Sequence, residues 1–193
     1  MNITQQLIDK TGKRKNSFSL MIDKIKCKTE PIIVETGCSR HSNNFDGDGM
    51  SSLIFDSFIQ SNDGIFYSVD INPSHVQFAK ESTIKAQITC GDSIKFLSYL
   101  NQKLRSENQY IDLLYLDSFD FDTQNPHPSS LHHIMELVSI WPSCRNGTII
   151  AVDDNFLDGT GKGQYVNEWM EKNNINPIFK DYQIIWEIPS KFY

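Results

Sequence analysis

Apolar, largely β-branched residues gather into short runs that each stop at an acid. Ile32, Ile33 and Val34 precede Glu35, and Phe66 to Val69 precede Asp70. The run 111–116 precedes Asp117, and the run 148–152 precedes Asp153 and Asp154. Runs of this length without polar alternation read as strands buried on both faces, as in a parallel sheet covered by helices. Residues 86–90 supply one more. Helical patterns separate them. One spans 49–60, with Leu53, Ile54, Phe58 and Ile59 inward, and one runs from Pro73 to about Lys85 with Asn72 as N-cap. The next carries Ile94, Phe96, Leu97, Leu100 and Leu104. A helix over 129–140 turns Leu131, Ile134, Met135, Leu137 and Val138 inward, and Val166, Trp169 and Met170 mark another. The tail changes period: 177–182 and 183–188 are β-type runs with little between them, so they must pair antiparallel. The pattern predicts a doubly wound, mostly parallel α/β sheet with helices on both faces and an antiparallel C-terminal strand. Residues 1–30 read as two short helices capping one end of the sheet, ahead of a main domain over 31–193, the whole forming one globular unit.

The length of 193 residues suits a single domain with a sizeable core. The net charge of −6 argues against a broad nucleic-acid surface. Lys10, Lys13, Arg14, Lys15, Lys24, Lys26 and Lys28 make the N-terminal segment basic, the pattern of a solvated helix face. Cys27, Cys38, Cys90 and Cys144 form no CxxC pair and read as reduced thiols. No apolar run is long enough to span a membrane, and the polar N-terminus lacks a signal-peptide core, so the expectation is a cytoplasmic protein.

In open α/β sheets ligands bind at the C-terminal edge of the strands, where these acids stand. Gly37 marks a sharp turn at which a ligand can approach the backbone. Asp70, ending the second strand, can accept both hydroxyls of a ribose, which suits a nucleoside-containing ligand. The same logic serves NAD, but no G-x-G-x-x-G follows the first strand. Asp92 can cap a helix, contact a ligand, or do both, with Ser93 beside it. Residues 159–163 resemble a phosphate loop without the Walker ending and read as a mobile lid, from which Lys162 could meet an anionic acceptor. Phe119 to Phe121 would wall an acceptor pocket. Of the adjacent His132 and His133, only one can face an acceptor as general base, and His133 is the candidate.

With these residues in series, the chain resembles the class I S-adenosylmethionine-dependent methyltransferases from Ile32 to the C-terminal hairpin. The resemblance implies a seven-stranded Rossmann-like sheet. Its first motif corresponds to Glu35-Thr36-Gly37-Cys38-Ser39, resumed after a polar insertion as Gly47-Asp48-Gly49-Met50-Ser51. It implies a cofactor held by Glu35, Gly37, Cys38, Gly49, Ser51, Asp70, Ile71, Asp92, Ser93 and Asp117. Asp117 after the fourth strand and Asp153-Asp154-Asn155 after the fifth resemble the metal-dependent small-molecule O-methyltransferases. That likeness implies Mg2+ held by Asp117, Asp153, Asp154 and Asn155, with Asp117 also catalytic, and a sugar or catechol-like acceptor. An oligomer is compatible with it. The alternatives are an NAD- or nucleotide-sugar-dependent enzyme on a similar sheet, and a cofactor-binding module without catalysis.

Overall fold

The computed structural model describes residues 3–156 and 159–190. The acid-ended runs form β1 (Ile32–Thr36), β2 (Ile65–Asp70), β4 (Leu113–Leu116) and β5 (Ile149–Val152), with β3 at Gln87–Cys90. The tail forms β6 (Pro177–Lys180) and β7 (Ile184–Glu187). All join one seven-stranded sheet in the order β3-β2-β1-β4-β5-β7-β6. Strands β1 to β5 are parallel, and β7 lies antiparallel between β5 and β6. The helices are α1 (Ile3–Ile8), α2 (Lys15–Ile25), α3 (Ser51–Asn62), α4 (Pro73–Ser82), α5 (Ser93–Ser106), α6 (His127–Ile140) and α7 (Gln164–Lys172). Among the described residues, no helix is long and apolar enough to cross a membrane.

Successive strand residues point to opposite faces, and here both faces are buried. Ile33, Phe66, Leu113, Tyr115, Ile149 and Ala151 pack with Phe18, Met21 and Ile25 of α2 and Ile54, Phe55 and Ile59 of α3. Val34, Leu114, Leu116, Ile150 and Val152 pack with Leu97, Leu100 and Leu104 of α5, Leu137 and Ile140 of α6, and Val166 and Met170 of α7. The apolar spacing i, i+3, i+7 of Phe18, Met21 and Ile25 lays α2 across a sheet face, not over an end of the sheet.

Helix α6 departs from its predicted orientation. Leu131, Met135 and Val138 are about half exposed, while Ser130, His133, Glu136, Leu137 and Ile140 are buried. The reason is polar. The Glu136 carboxylate accepts hydrogen bonds from Thr36 Oγ1 at 3.1 Å and Ser118 Oγ at 2.6 Å, tying α6 to the tips of β1 and β4. A buried carboxylate so bonded fixes the helix rotation, because turning the apolar stripe inward would break those bonds.

Candidate functional site

The order of the sheet places β1 between β2 and β4, so the chain reverses winding direction between β1 and β4. A crevice opens there at the C-terminal ends of the strands. Gly37 builds the turn after β1. Its φ is +78°, and a Cβ added to it would lie 2.4 Å from the carbonyl oxygen of Asp117. Its N–H donates to Val69 O at 2.8 Å. Glycine is required here both for the left-handed backbone and for the close approach of the β1 turn to the β4 tip.

The crevice is a cavity of about 250 Å³ lined by the loops after β1, β2, β3 and β4. Of the predicted cofactor contacts, Gly37, Cys38, Ser51, Asp70, Ile71, Asp92, Ser93 and Asp117 all line it. Asp70 is held by the backbone around it, accepting from Cys38 N at 3.3 Å and Asn72 N at 2.7 Å. Asp92 caps α5 by accepting from Lys95 N at 2.9 Å, and it also lines the cavity. Ile71 is 74% exposed and Phe119 49%, two apolar side chains at the cavity wall.

Glu35 and Gly49 are not among the lining residues. Glu35 lies wholly buried below the turn, where its Oε2 accepts from Ser52 Oγ and Ser68 Oγ, both at 2.6 Å. Burial pushes its carboxyl up to about 7, against those hydroxyls. Its place is structural: it joins β1, β2 and the start of α3. Gly49 backs onto Arg14, whose Cδ would lie 2.8 Å from an added Cβ. The candidate base His133 is buried as well. Its Nδ1 donates to Ser129 O at 2.7 Å, and burial lowers its pKa to about 4. It is its neighbour His132 that lines the cavity, with Nε2 2.9 Å from Ser93 Oγ and its ring 5.4 Å from that of Phe119.

The second set of acids, at the tips of β4 and β5, is arranged differently. One oxygen from each of Asp117, Asp153 and Asp154 lies within 4.8 Å of the others, as the sequence predicts for a metal site. That space holds side chains of the chain itself. Lys162 Nζ donates to Asp117 Oδ1 at 2.6 Å and sits 3.0 Å from Asp154 Oδ2. Arg14 Nε reaches both oxygens of Asp153 at 3.1 and 2.9 Å, and its terminal nitrogen lies 2.8 Å from Asp153 and 3.5 Å from Asp154. The Tyr182 hydroxyl donates to Asp154. Burial opposes charge on Lys162, but Asp117 and Asp154 outweigh it and hold the ammonium above its ordinary range. Burial likewise opposes charge on Asp154, but Lys162 and Tyr182 hold that carboxyl below its usual range. Asn155 is committed to the backbone: Nδ2 donates to Val152 O and Asp153 O, and Oδ1 accepts from Gly163 N. This set does not fit a resident divalent cation.

Lys162 is therefore not the tip of a lid reaching outward; it is wholly buried, where it pairs with Asp117 and Asp154 beside the Arg14–Asp153 pair. Arg14 is likewise 2% exposed, unlike its basic neighbours Lys13 and Lys15 on the solvated surface. Sequence reading also missed Arg40, Asn72 and His75, which line the cavity. Arg40 directly follows the first turn, and His75 falls in the first turn of α4, five residues after Asp70; those positions were the available signal. Arg14 had none, standing 139 residues from its partner Asp153.

No family model and no curated protein matches this sequence. Solved structures share its fold. A Thermoplasma acidophilum protein matches with a TM-score of 0.57 at 10% identity over the whole of both chains. The O-methyltransferase NovP matches at 0.56 with 12% identity, over 96% of this chain and 80% of that one. A Plasmodium falciparum structure named as a ribosomal RNA methyltransferase matches at 0.54 with 12% identity, over 91% and 95%. The architecture is the Rossmann-like sheet found in methyltransferase structures.

Proposed function

We propose that the protein is an S-adenosylmethionine-dependent methyltransferase acting on an oxygen of a small molecule. The observation that supports this reading is the cavity at the β1/β4 switch point, whose lining offers groups suited to the parts of that cofactor. The Asp70 carboxylate accepts the ribose hydroxyls, with its orientation set by Cys38 N and Asn72 N. Ile71 and Phe119 offer apolar faces to the purine, and Asp92 and Ser93 offer polar atoms to its edge. Arg40, 3.1 Å from Asp120 at the rim, offers the cation for the amino-acid carboxylate. The bound cofactor supplies an electrophilic methyl group on a sulfonium.

The chain's contribution is alignment and exclusion of water. Asp117 lines the cavity and is fixed by Lys162, so its carboxylate is positioned to take the proton of an acceptor hydroxyl. No step here runs through a divalent ion. The net charge of −6 favours a small acceptor over a nucleic acid, although the matched fold also serves the ribosomal RNA enzyme. Parallel calorimetric titrations with S-adenosylhomocysteine and with NADH test the reading. Heat is expected with the first alone; binding of NADH and not of S-adenosylhomocysteine would replace it with a dinucleotide enzyme.

A further inference from the structure

The carboxylate cluster at the β4 and β5 tips has the makings of a cation site, yet its centre is filled from within. We propose that the Lys162 ammonium is a built-in substitute for a divalent cation, so that this cluster is closed to metal and the protein works without one. The inference rests on the methyl-transfer reading only for its consequence on turnover; the geometry of the cluster stands apart from it.

The ammonium is surrounded as an ion would be. Asp117 Oδ1 and Asp154 Oδ2 lie at 2.6 and 3.0 Å, and the main-chain oxygens of Asp117 and Ser118 each lie at 3.4 Å. These are charge-assisted hydrogen-bond distances and longer contacts, whereas Mg2+ draws its oxygens to about 2.1 Å in an octahedron. The third carboxylate, Asp153, is spent on a bidentate pair with Arg14. Two buried cations thus face three carboxylates, and a further doubly charged ion would meet both of them at close range.

The lysine is also sewn in place. Its own N–H donates to Asp154 O at 3.1 Å, so the residue that supplies the cation is bonded at both ends to the residue that supplies the carboxylate. The flanking residues are fixed as well. Gly163 N donates to Asn155 Oδ1 at 2.9 Å, and Ser130 Oγ donates to Gly161 O at 2.8 Å. Gly161 has a φ of +134°, and a Cβ there would lie 2.5 Å from Asp154 O. The main chain at Lys162 is thereby held against the β5 tip, with the ammonium directed at Asp117 and Asp154.

The test is metal binding itself, read on wild type, Lys162→Met and the double variant Lys162→Met/Asp154→Asn. Mn2+ serves as the probe, followed by electron paramagnetic resonance of the free ion and by thermal unfolding. Wild type should bind no Mn2+ at the cluster and show no shift in Tm. Lys162→Met should gain a site, with Tm rising by about 3–5 °C at tenfold saturation, and the double variant should lose it. Mn2+ bound by wild type and lost in Asp117→Asn would overturn the proposal. So would a folded Lys162→Met that binds none. Should Lys162→Met fold only when Mn2+ is present, that dependence supports it. Titration of S-adenosylhomocysteine on the same wild-type protein reports separately on the methyl-transfer reading.

Discussion

The two halves of the C-terminal sheet edge begin from one sequence device and end differently. At β2 and β3, the acids that follow the strands, Asp70 and Asp92, line an open cavity while bonded to nearby backbone N–H groups. At β4 and β5, acids in the same strand-ending position are locked against Arg14 and Lys162. Asp117 belongs to both, lining the cavity while binding Lys162. The difference teaches that a strand-end carboxylate is only a candidate. What decides its role is whether the fold delivers a cation to it from elsewhere in the chain.

That contrast can be broken most forcefully on the closed side. Removing a cation from a buried pair leaves an uncompensated charge, so Arg14→Ala should cost about 3–5 kcal/mol in urea unfolding. Affinity for S-adenosylhomocysteine in the protein that remains folded should change little. An affinity loss larger than the stability loss would mean the two halves are not separate.

Glu35 sharpens the comparison from below the cavity. Its folded pKa of about 7 lies above the ordinary 4.5, so between those values the folded protein holds a proton that the unfolded chain has released. The stability from this group is full below about 4.5 and falls as pH rises to about 7. Wild type should therefore lose about 3 kcal/mol relative to Glu35→Gln across that window. Urea melts of both proteins at a series of pH values measure it; parallel curves would contradict the buried placement.

The open side should answer in affinity. Asp70→Ala removes the charged acceptor proposed for the ribose, which is about 1.5–3 kcal/mol, or about 10–150-fold in the dissociation constant of S-adenosylhomocysteine. Its Tm should move less than that of Arg14→Ala. Unchanged affinity would remove Asp70 from the site.

Much of this was legible in the sequence, for physical reasons. Strands buried on both faces announce themselves as unbroken apolar runs, and the acids after the runs mark the C-terminal edge of the sheet. Asp70, Asp92 and Asp117, which line the cavity there, were legible in that way. Helix α6 was misread because periodicity counts apolar residues and cannot see that Glu136 has Thr36 and Ser118 to bond. Leu131, Met135 and Val138 carry an inward-looking pattern on an outward face. Choosing between His132 and His133 failed for the same reason, since the helix rotation is set by those distant hydroxyls. Arg14 lay beyond reach, because its partner Asp153 is 139 residues away and only the fold brings them together. Lys162 was noticed but aimed outward, because nothing local shows that its loop turns back to Asp154 and to Asp117, 45 residues away.

One experiment addresses both halves at once: a calorimetric titration of a single wild-type sample, first with Mn2+ and then with S-adenosylhomocysteine. The account predicts no binding heat from the ion and saturable one-site binding of the nucleoside, undiminished by prior chelation. Binding of Mn2+ would contradict the closed cluster, and no binding of S-adenosylhomocysteine would contradict the open one.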